Sequence, residues 1–174
     1  MAKIMYCCFT GHRPEHLPWG ANELDERCIK LKEVLSSAID QCLEDGCREF
    51  FCGMARGTDT YAAEILLEKK KKYEDLIIHA ALPCPDQHDG WCEKDRLRYE
   101  SILSQCDTKT LVSPFYTDTC MLARNRFMVD NSDRVIAVWS GYFRGGTAYT
   151  VRYAKKQEKE IFLIRPKDQS MTII

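Results

Sequence analysis

Three polar, glycine-bearing stretches carry the residue types that hold phosphates and move protons: "TGHRP" (Thr10–Pro14), "CGMARGTD" (Cys52–Asp59) and "SGYFRGGT" (Ser140–Thr147). Glycine lets backbone approach a ligand closely and permits positive φ. A helix that follows such a loop offers unpaired N–H groups and a partial positive charge to an anion. In the first stretch the candidates are Thr10, Gly11, His12 and Arg13. Arg13 suits bidentate pairing with a phosphate, and His12 can donate a hydrogen bond or a proton. The alternative there is a surface loop held by its own side chains.

In the second stretch the candidates are Gly53, Gly57, Thr58 and Asp59. Asp59 either accepts from ribose hydroxyls or simply caps the helix that starts there. In the third they are Ser140, Gly141, Gly145, Gly146 and Thr147. Thr58 and Thr147 can each cap a helix and touch a phosphate at once. Asp59 and His12 are the candidates for an acid–base step. Neither glycine loop has the Gly-x-Gly-x-x-Gly of dinucleotide-binding domains, and no Gly-Lys-Ser/Thr is present, which argues against nucleoside triphosphate hydrolysis.

These loops must be positioned by the elements around them. Short, nearly continuous apolar runs alternate with helical spacing along the chain. Strands are expected at "KIMYCCFT", "REFFCG", "LIIHAALP", "TKTLVS", "RVIAVWS" and "EIFLIRP". Helices are expected in between, one from Glu23 stopping at Gly46, one capped by Thr58 or Asp59, one capped by Asp118 or Thr119. This alternation implies an α/β domain with a parallel sheet covered by helices on both sides. The last residues, "KDQSMTII", are either a loose tail or an edge addition. No linker or repeat divides the 174 residues, so one domain over 1–174 is expected. In such a sheet ligands bind where strands end and the next helices begin, which is where all three polar stretches fall.

Composition excludes some functions. There are 25 Lys and Arg against 26 Asp and Glu, a net charge of −1, so no global field advertises nucleic acid or anionic lipid. The block Lys69–Lys72 closes a helix, where cations suit the dipole. The ten cysteines form no Cys-x-x-Cys pair, and no His-x-x-x-His follows the series Cys42, Cys47 and Cys52, so no metal site is expected. They read as small hydrophobes, reduced in a cytoplasm, and no apolar run is long enough for a membrane span. His79 lies within a strand and reads as a satisfied core histidine, while His16 and His88 lack context. Leu122, Phe127, Val151 and Tyr153 look like more apolar surface than one sheet face covers, which suggests self-association.

"TGHRP", "GMARGTD" and "ARNRFMVDNSDRVIAVWSG…GGT" in this order resemble the YpsA family of the SLOG superfamily, over Ile4 to about Ile164. The resemblance implies a three-layer Rossmann-like α/β fold with a mostly parallel central sheet. It also implies a nucleotide-type ligand at the carboxyl edge, with no cofactor required. The superfamily includes LOG phosphoribohydrolases and the DNA-processing protein DprA. The LOG signature, Arg-x-x-x-Met and then Pro-Gly-Gly-x-Gly-Thr-x-x-Glu, is matched by Arg124, Met128, Gly146 and Thr147. By that match Arg124 points at a phosphate, whereas Arg126 reads as a surface residue.

The catalytic glutamate of the signature is replaced by Thr150. Threonine cannot carry the charge that stabilises an oxocarbenium-like state, and Asp59, Glu64 and Asp130 are the carboxylates left to do so. The expected function is therefore binding of a nucleotide or a derivative of the ADP-ribose or nucleoside-phosphate type, as a sensor or regulator. The alternative is a nucleotide N-glycosidase with a different acid–base group. A DprA-like association with nucleic acid is disfavoured by the near-neutral charge. Trp139, Tyr142 and Phe143 are either stacking partners for a base or ordinary packing.

Overall fold

Strands apolar on both faces are stable only when helices cover both faces, and the chain builds that arrangement. The computed structural model describes residues 6–174. In chain order the elements are β1 (Tyr6–Gly11), α1 (Glu26–Glu44), β2 (Glu49–Cys52), α2 (Thr58–Lys70), β3 (Ile77–Leu82) and α3 (Glu93–Ser104). Then come β4 (Thr108–Leu111), α4 (Cys120–Asp130), β5 (Arg134–Val138), α5 (Gly146–Lys156), β6 (Glu160–Ile164) and β7 (Met171–Ile173). A 3-10 turn, Pro14–His16, follows β1. The opening residues 3–5 of the expected first strand, and with them Ile4 of the resemblance, lie outside the described residues.

The strands form one sheet in the order β4-β3-β2-β1-β5-β6-β7. Every pairing is parallel except β6 with β7, so the "KDQSMTII" segment resolves as an antiparallel edge strand. Phe50 and Ile78 join Leu31, Leu35, Ile39 and Leu66 in a core on one face of the sheet. Cys52 and Ala80, on that same face by strand alternation, pack with Tyr99 and Ile102 of α3. Cys8, Val135 and Ala137 face the other way, against Met128 and Val129 of α4 and Val151 and Ala154 of α5. The layers are thus α1, α2 and α3, then the sheet, then α4 and α5: the three-layer Rossmann-like fold that was expected.

Gly46 ends α1 as expected: its φ is +96°, and the Cys47 N–H reaches back to the Cys42 carbonyl at 2.8 Å. Other details differ from the sequence reading. The N-cap of α2 is Gly57, and Thr58 and Asp59 lie inside the first turn. Thr119, one of the two expected caps, does occupy the N-cap of α4, but without a side-chain bond. His79 is satisfied, with Nδ1 2.6 Å from Thr108 Oγ1 and Nε2 2.8 Å from Glu49 Oε2, but it is half-buried and not in the core. Of the apolar residues noted on α4 and α5, Val151 is buried, Phe127 and Tyr153 pack partly buried against the same cluster, and Leu122 walls a cavity.

Candidate functional site

In β1 and β5, Thr10 lies opposite Ala137 and Gly11 opposite Val138, so the loops leaving the two strands start from adjacent points on the carboxyl edge. The winding reverses at this pair, with β2, β3 and β4 on one side and β6 and β7 on the other. Crevices of α/β sheets open at such a switch point. Here a cavity of about 720 Å³ is walled by both loops, by Ala55 and Asp59, and by Met121, Leu122, Arg124 and Asn125 of α4.

His12 joins the two loops. Its backbone N–H donates to Val138 O at 3.2 Å, and its Nε2 accepts the Ser140 N–H at 3.0 Å. Ser140 Oγ lies 3.0 Å from the same nitrogen. Because Nε2 accepts a backbone donor, the ring proton sits on Nδ1. Burial, and then the neighbouring His16, hold the His12 pKa below the ordinary histidine value, so the ring is neutral at physiological pH.

Arg124 reaches the cavity from α4 and is 3 % exposed. Its Nη1 donates to the Gly53 carbonyl and, at 3.4 Å, to Ala81 O, while Nε donates to Asn125 Oδ1 at 2.8 Å. Among the described residues Nη2 meets the Met121 thioether alone, at 4.0 Å, so a donor of a buried guanidinium is left for something else. Burial pulls the Arg124 pKa down and Asp59 opposes that pull. Asp59 is itself buried, its Oδ2 accepts the Ala55 N–H at 3.1 Å, and burial raises its pKa against the opposing charge of Arg124.

The contrast with Arg134, at the other end of the sheet, is instructive. Arg134 is equally buried but holds Asp45 at 2.8 Å and Glu160 at 2.6 Å. Burial lowers its pKa, but hydrogen bonds to Cys42, Asp45 and Glu160 more than reverse the effect. Arg134 is a completed structural cation; Arg124 retains donor capacity toward a cavity.

Opposite Arg124 the N-terminus of α5 opens on the same space through Gly145, Gly146 and Thr147. The first helical N–H groups have no partner within the helix and carry the positive end of its dipole. A β-carbon at Gly146 would stand 3.8 Å from Asn125 Nδ2, so the amide of Asn125 lies beside this terminus. The site thus gathers the guanidiniums of Arg13, Arg124 and Arg144, an amide and a helix N-terminus around one cavity, with one carboxylate set among them.

Of the residues predicted from sequence, Thr10, Gly11, His12, Arg13, Asp59, Arg124, Ser140, Gly145, Gly146 and Thr147 line the cavity. Gly53, Gly57, Thr58 and Gly141 do not. Gly53 lies behind Arg124, where its lack of a side chain makes room. Thr58, expected to touch a phosphate, is fully buried and braces the first loop instead: its N–H and Oγ1 donate to the His12 carbonyl at 3.3 and 3.1 Å. Gly57 has φ +82° and passes so close to that carbonyl that a β-carbon would sit 2.7 Å away. Gly141, with φ +89°, only turns the chain.

Thr150 is buried and donates from Oγ1 to Gly146 O at 2.8 Å, closing a helical turn. Glu64 pairs with Arg98, and Asp130 accepts from Tyr153, so neither serves the cavity. Arg126 is exposed and donates to Tyr149 Oη at 2.9 Å, as a surface residue would. Phe9, His16, Ala55, Met121, Leu122, Asn125 and Arg144 line the cavity as well, unexpected from the sequence. Met121 carried a signal, lying one turn before Arg124, and Asn125 follows Met121 by one turn on the same helix.

The comparisons with known proteins agree with this architecture. The sequence profile of the YspA SLOG family (YpsA) matches residues 7–169. A UPF0398 protein of Bacillus licheniformis is 28% identical over 159 residues, covering 89% of this chain and 86% of that protein. One of Bacillus thuringiensis strain Al Hakam is 29% identical over 151 residues, covering 85% and 81%. Among solved structures, DNA processing protein A from Streptococcus pneumoniae superposes with a TM-score of 0.59 at 17% identity, covering 93% of this chain and 50% of that one. The Helicobacter pylori protein, described for its single-stranded DNA binding mode, superposes at 0.60 and 19% identity, covering 92% and 65%. The chain therefore spans half to about two-thirds of those two proteins, and the likeness to them is one of fold. Among the described residues no helix is long and apolar enough to cross a membrane.

Proposed function

The chain belongs to the YspA SLOG family, and from that membership and the cavity at the β1–β5 edge we propose that it binds a nucleotide or nucleotide derivative, as a sensor or regulator. One observation carries this reading. Among the described residues Arg124 Nη2 meets only the Met121 thioether, and Arg124 lines the same cavity as the N-terminus of α5. A phosphate there would receive the guanidinium, the Asn125 amide and the helix N–H groups together. Asp59 then accepts from sugar hydroxyls, and Tyr142, 57 % exposed at the rim, offers a ring for a base. Isothermal titration with AMP, ADP-ribose, NAD and cyclic nucleotides tests the proposal. Absence of binding by all of them at millimolar concentration refutes it.

Asp59 favours a second reading, hydrolysis of an N-glycosidic bond. It is a carboxylate on the cavity wall, whereas Thr150, in the place of the LOG glutamate, is buried and does not line the cavity. A carboxylate near C1′ stabilises an oxocarbenium-like state or activates water. Release of free base from a nucleoside monophosphate, lost in Asp59→Asn, is the result that would convert the sensor into an enzyme. A nucleic-acid role by analogy with the DprA proteins is tested by gel shift with single-stranded DNA at low and physiological salt.

A further inference from the structure

We propose that His12 is a positioning residue, whose neutral imidazole acts as a hydrogen-bond acceptor that holds the loop after β5 in its ligand-receptive shape. The inference rests on the nucleotide-binding reading for the word receptive, and on geometry alone for the clamp.

The loop between Trp139 and Gly146 has little apolar packing to fix it: Tyr142 is 57 % and Phe143 64 % exposed, and Gly141 and Gly145 both have positive φ. A short relay of hydrogen bonds holds it instead. Ser140 N–H donates to His12 Nε2 at 3.0 Å, Ser140 Oγ accepts the Tyr142 N–H at 3.3 Å, and Trp139 Nε1 donates to Tyr142 O at 2.9 Å. The anchor of the relay is 128 residues away in sequence and sits on the neighbouring strand end. It is itself fixed, since the His12 backbone bonds to Val138 on one side and its carbonyl receives Thr58 on the other. Arg152 Nη1 ties the same loop to α5, donating to Phe143 O at 2.7 Å, and the His12 imidazole nitrogen is its side-chain tie to β1.

That nitrogen works only unprotonated. A second ring proton would turn Nε2 into a donor facing the Ser140 N–H, and the backbone bond would be lost. The charged and titratable groups on the same cavity are Arg13 beside it in the chain, His16 on the 3-10 turn, Arg124 on α4, Tyr142 and Arg144 on the loop and Asp59 on α2. Burial first, and His16 after it, keep the ring neutral. With Nε2 committed to Ser140, the proton-transfer role suggested by sequence gives way to a mechanical one.

The test uses the ligand-free protein first. In 1H–15N spectra between pH 8 and 5, the Ser140 amide shift should titrate with the same midpoint as the His12 ring. In His12→Gln, whose amide oxygen accepts without titrating, the Ser140 shift should stay flat. A Ser140 amide indifferent to His12 protonation overturns the clamp. Affinity at pH 8 for whichever of AMP or ADP-ribose binds the wild type is the second readout. His12→Ala should weaken it about tenfold, the scale of one hydrogen bond, and His12→Gln by no more than about threefold. Equal losses in both variants overturn the positioning role, and should His12→Ala fail to fold, the Gln variant alone carries the NMR test. Coupled titration with no nucleotide binding at all leaves the clamp standing and refutes the ligand reading.

Discussion

Arg124 and Asp59 approach each other across the backbone of Gly53: a β-carbon at that position would lie 2.7 Å from Arg124 Nη1 and 2.9 Å from Asp59 Oδ2. The cation comes from α4 and the carboxylate from α2, on opposite faces of the sheet. They meet because a residue at the end of β2 has no side chain to keep them apart. Gly53 also binds the cation directly, accepting from Arg124 Nη1 through its carbonyl.

Gly53→Ala should therefore disturb both groups at once. The added methyl has nowhere to go unless Arg124 releases the Gly53 and Ala81 carbonyls. Overpacking of this kind costs about 1–3 kcal/mol, which thermal unfolding will register as a lower Tm. Nucleotide affinity should fall with it, and an unchanged Tm with unchanged affinity would contradict the geometry.

Arg124→Lys separates charge from shape. Lysine keeps a cation near Asp59 but lacks the planar fork that reaches the carbonyls, Asn125 and the cavity together. Calorimetry should show affinity reduced about tenfold or more, the scale of one charge-assisted hydrogen bond, with Tm changed by only a few degrees.

Asp59→Asn should raise stability at neutral pH. Burial lifts the Asp59 pKa above its ordinary value, so the folded protein holds this proton longer than the unfolded chain does. The wild type then loses stability as pH rises through the raised folded pKa, and below the unfolded value both forms are neutral and the variants converge. Thermal melts at pH 7 and in acid should show the Asn variant more stable at the former alone. Any base release by the wild type should vanish in the same variant.

His12 makes the opposite contribution. Its folded pKa is lowered by burial and by His16, so the unfolded chain takes up the proton first. Stability from this group is present above the unfolded value of about 6.5 and is lost as pH falls through the folded one. Urea unfolding between pH 7.5 and 5 should show a decline in the wild type that is shallower in His12→Gln. Parallel declines would assign the slope to other groups.

Much of this was legible in the residues themselves. Unbroken apolar runs such as "RVIAV" require cover on both faces, and their alternation with helical spacing implies a doubly covered parallel sheet. Glycine before Thr58 and before Thr147 marks strand–helix junctions where an anion can approach backbone. Arg124 and Met128, one turn apart, share a buried helix face by spacing alone, as the structure has it. These features follow from local sterics, periodicity and solvation, which depend on neighbours within a few positions.

What required the tertiary structure was the division of labour among equivalent-looking residues. Thr58 and Thr147 occupy similar junctions, but β1 lies beside β2 and its loop folds back onto α2, so Thr58 is spent on the His12 carbonyl and Thr147 remains on the cavity. Asp59, Glu64 and Asp130 were interchangeable as carboxylates until packing gave Glu64 to Arg98 and Asp130 to Tyr153. His12 acquired its acceptor role from Ser140, across the β1–β5 pairing. Such assignments depend on strand order, which brings distant segments within hydrogen-bond reach. A buried donor takes the partner that order supplies, because leaving it unmet costs more than any local preference contributes.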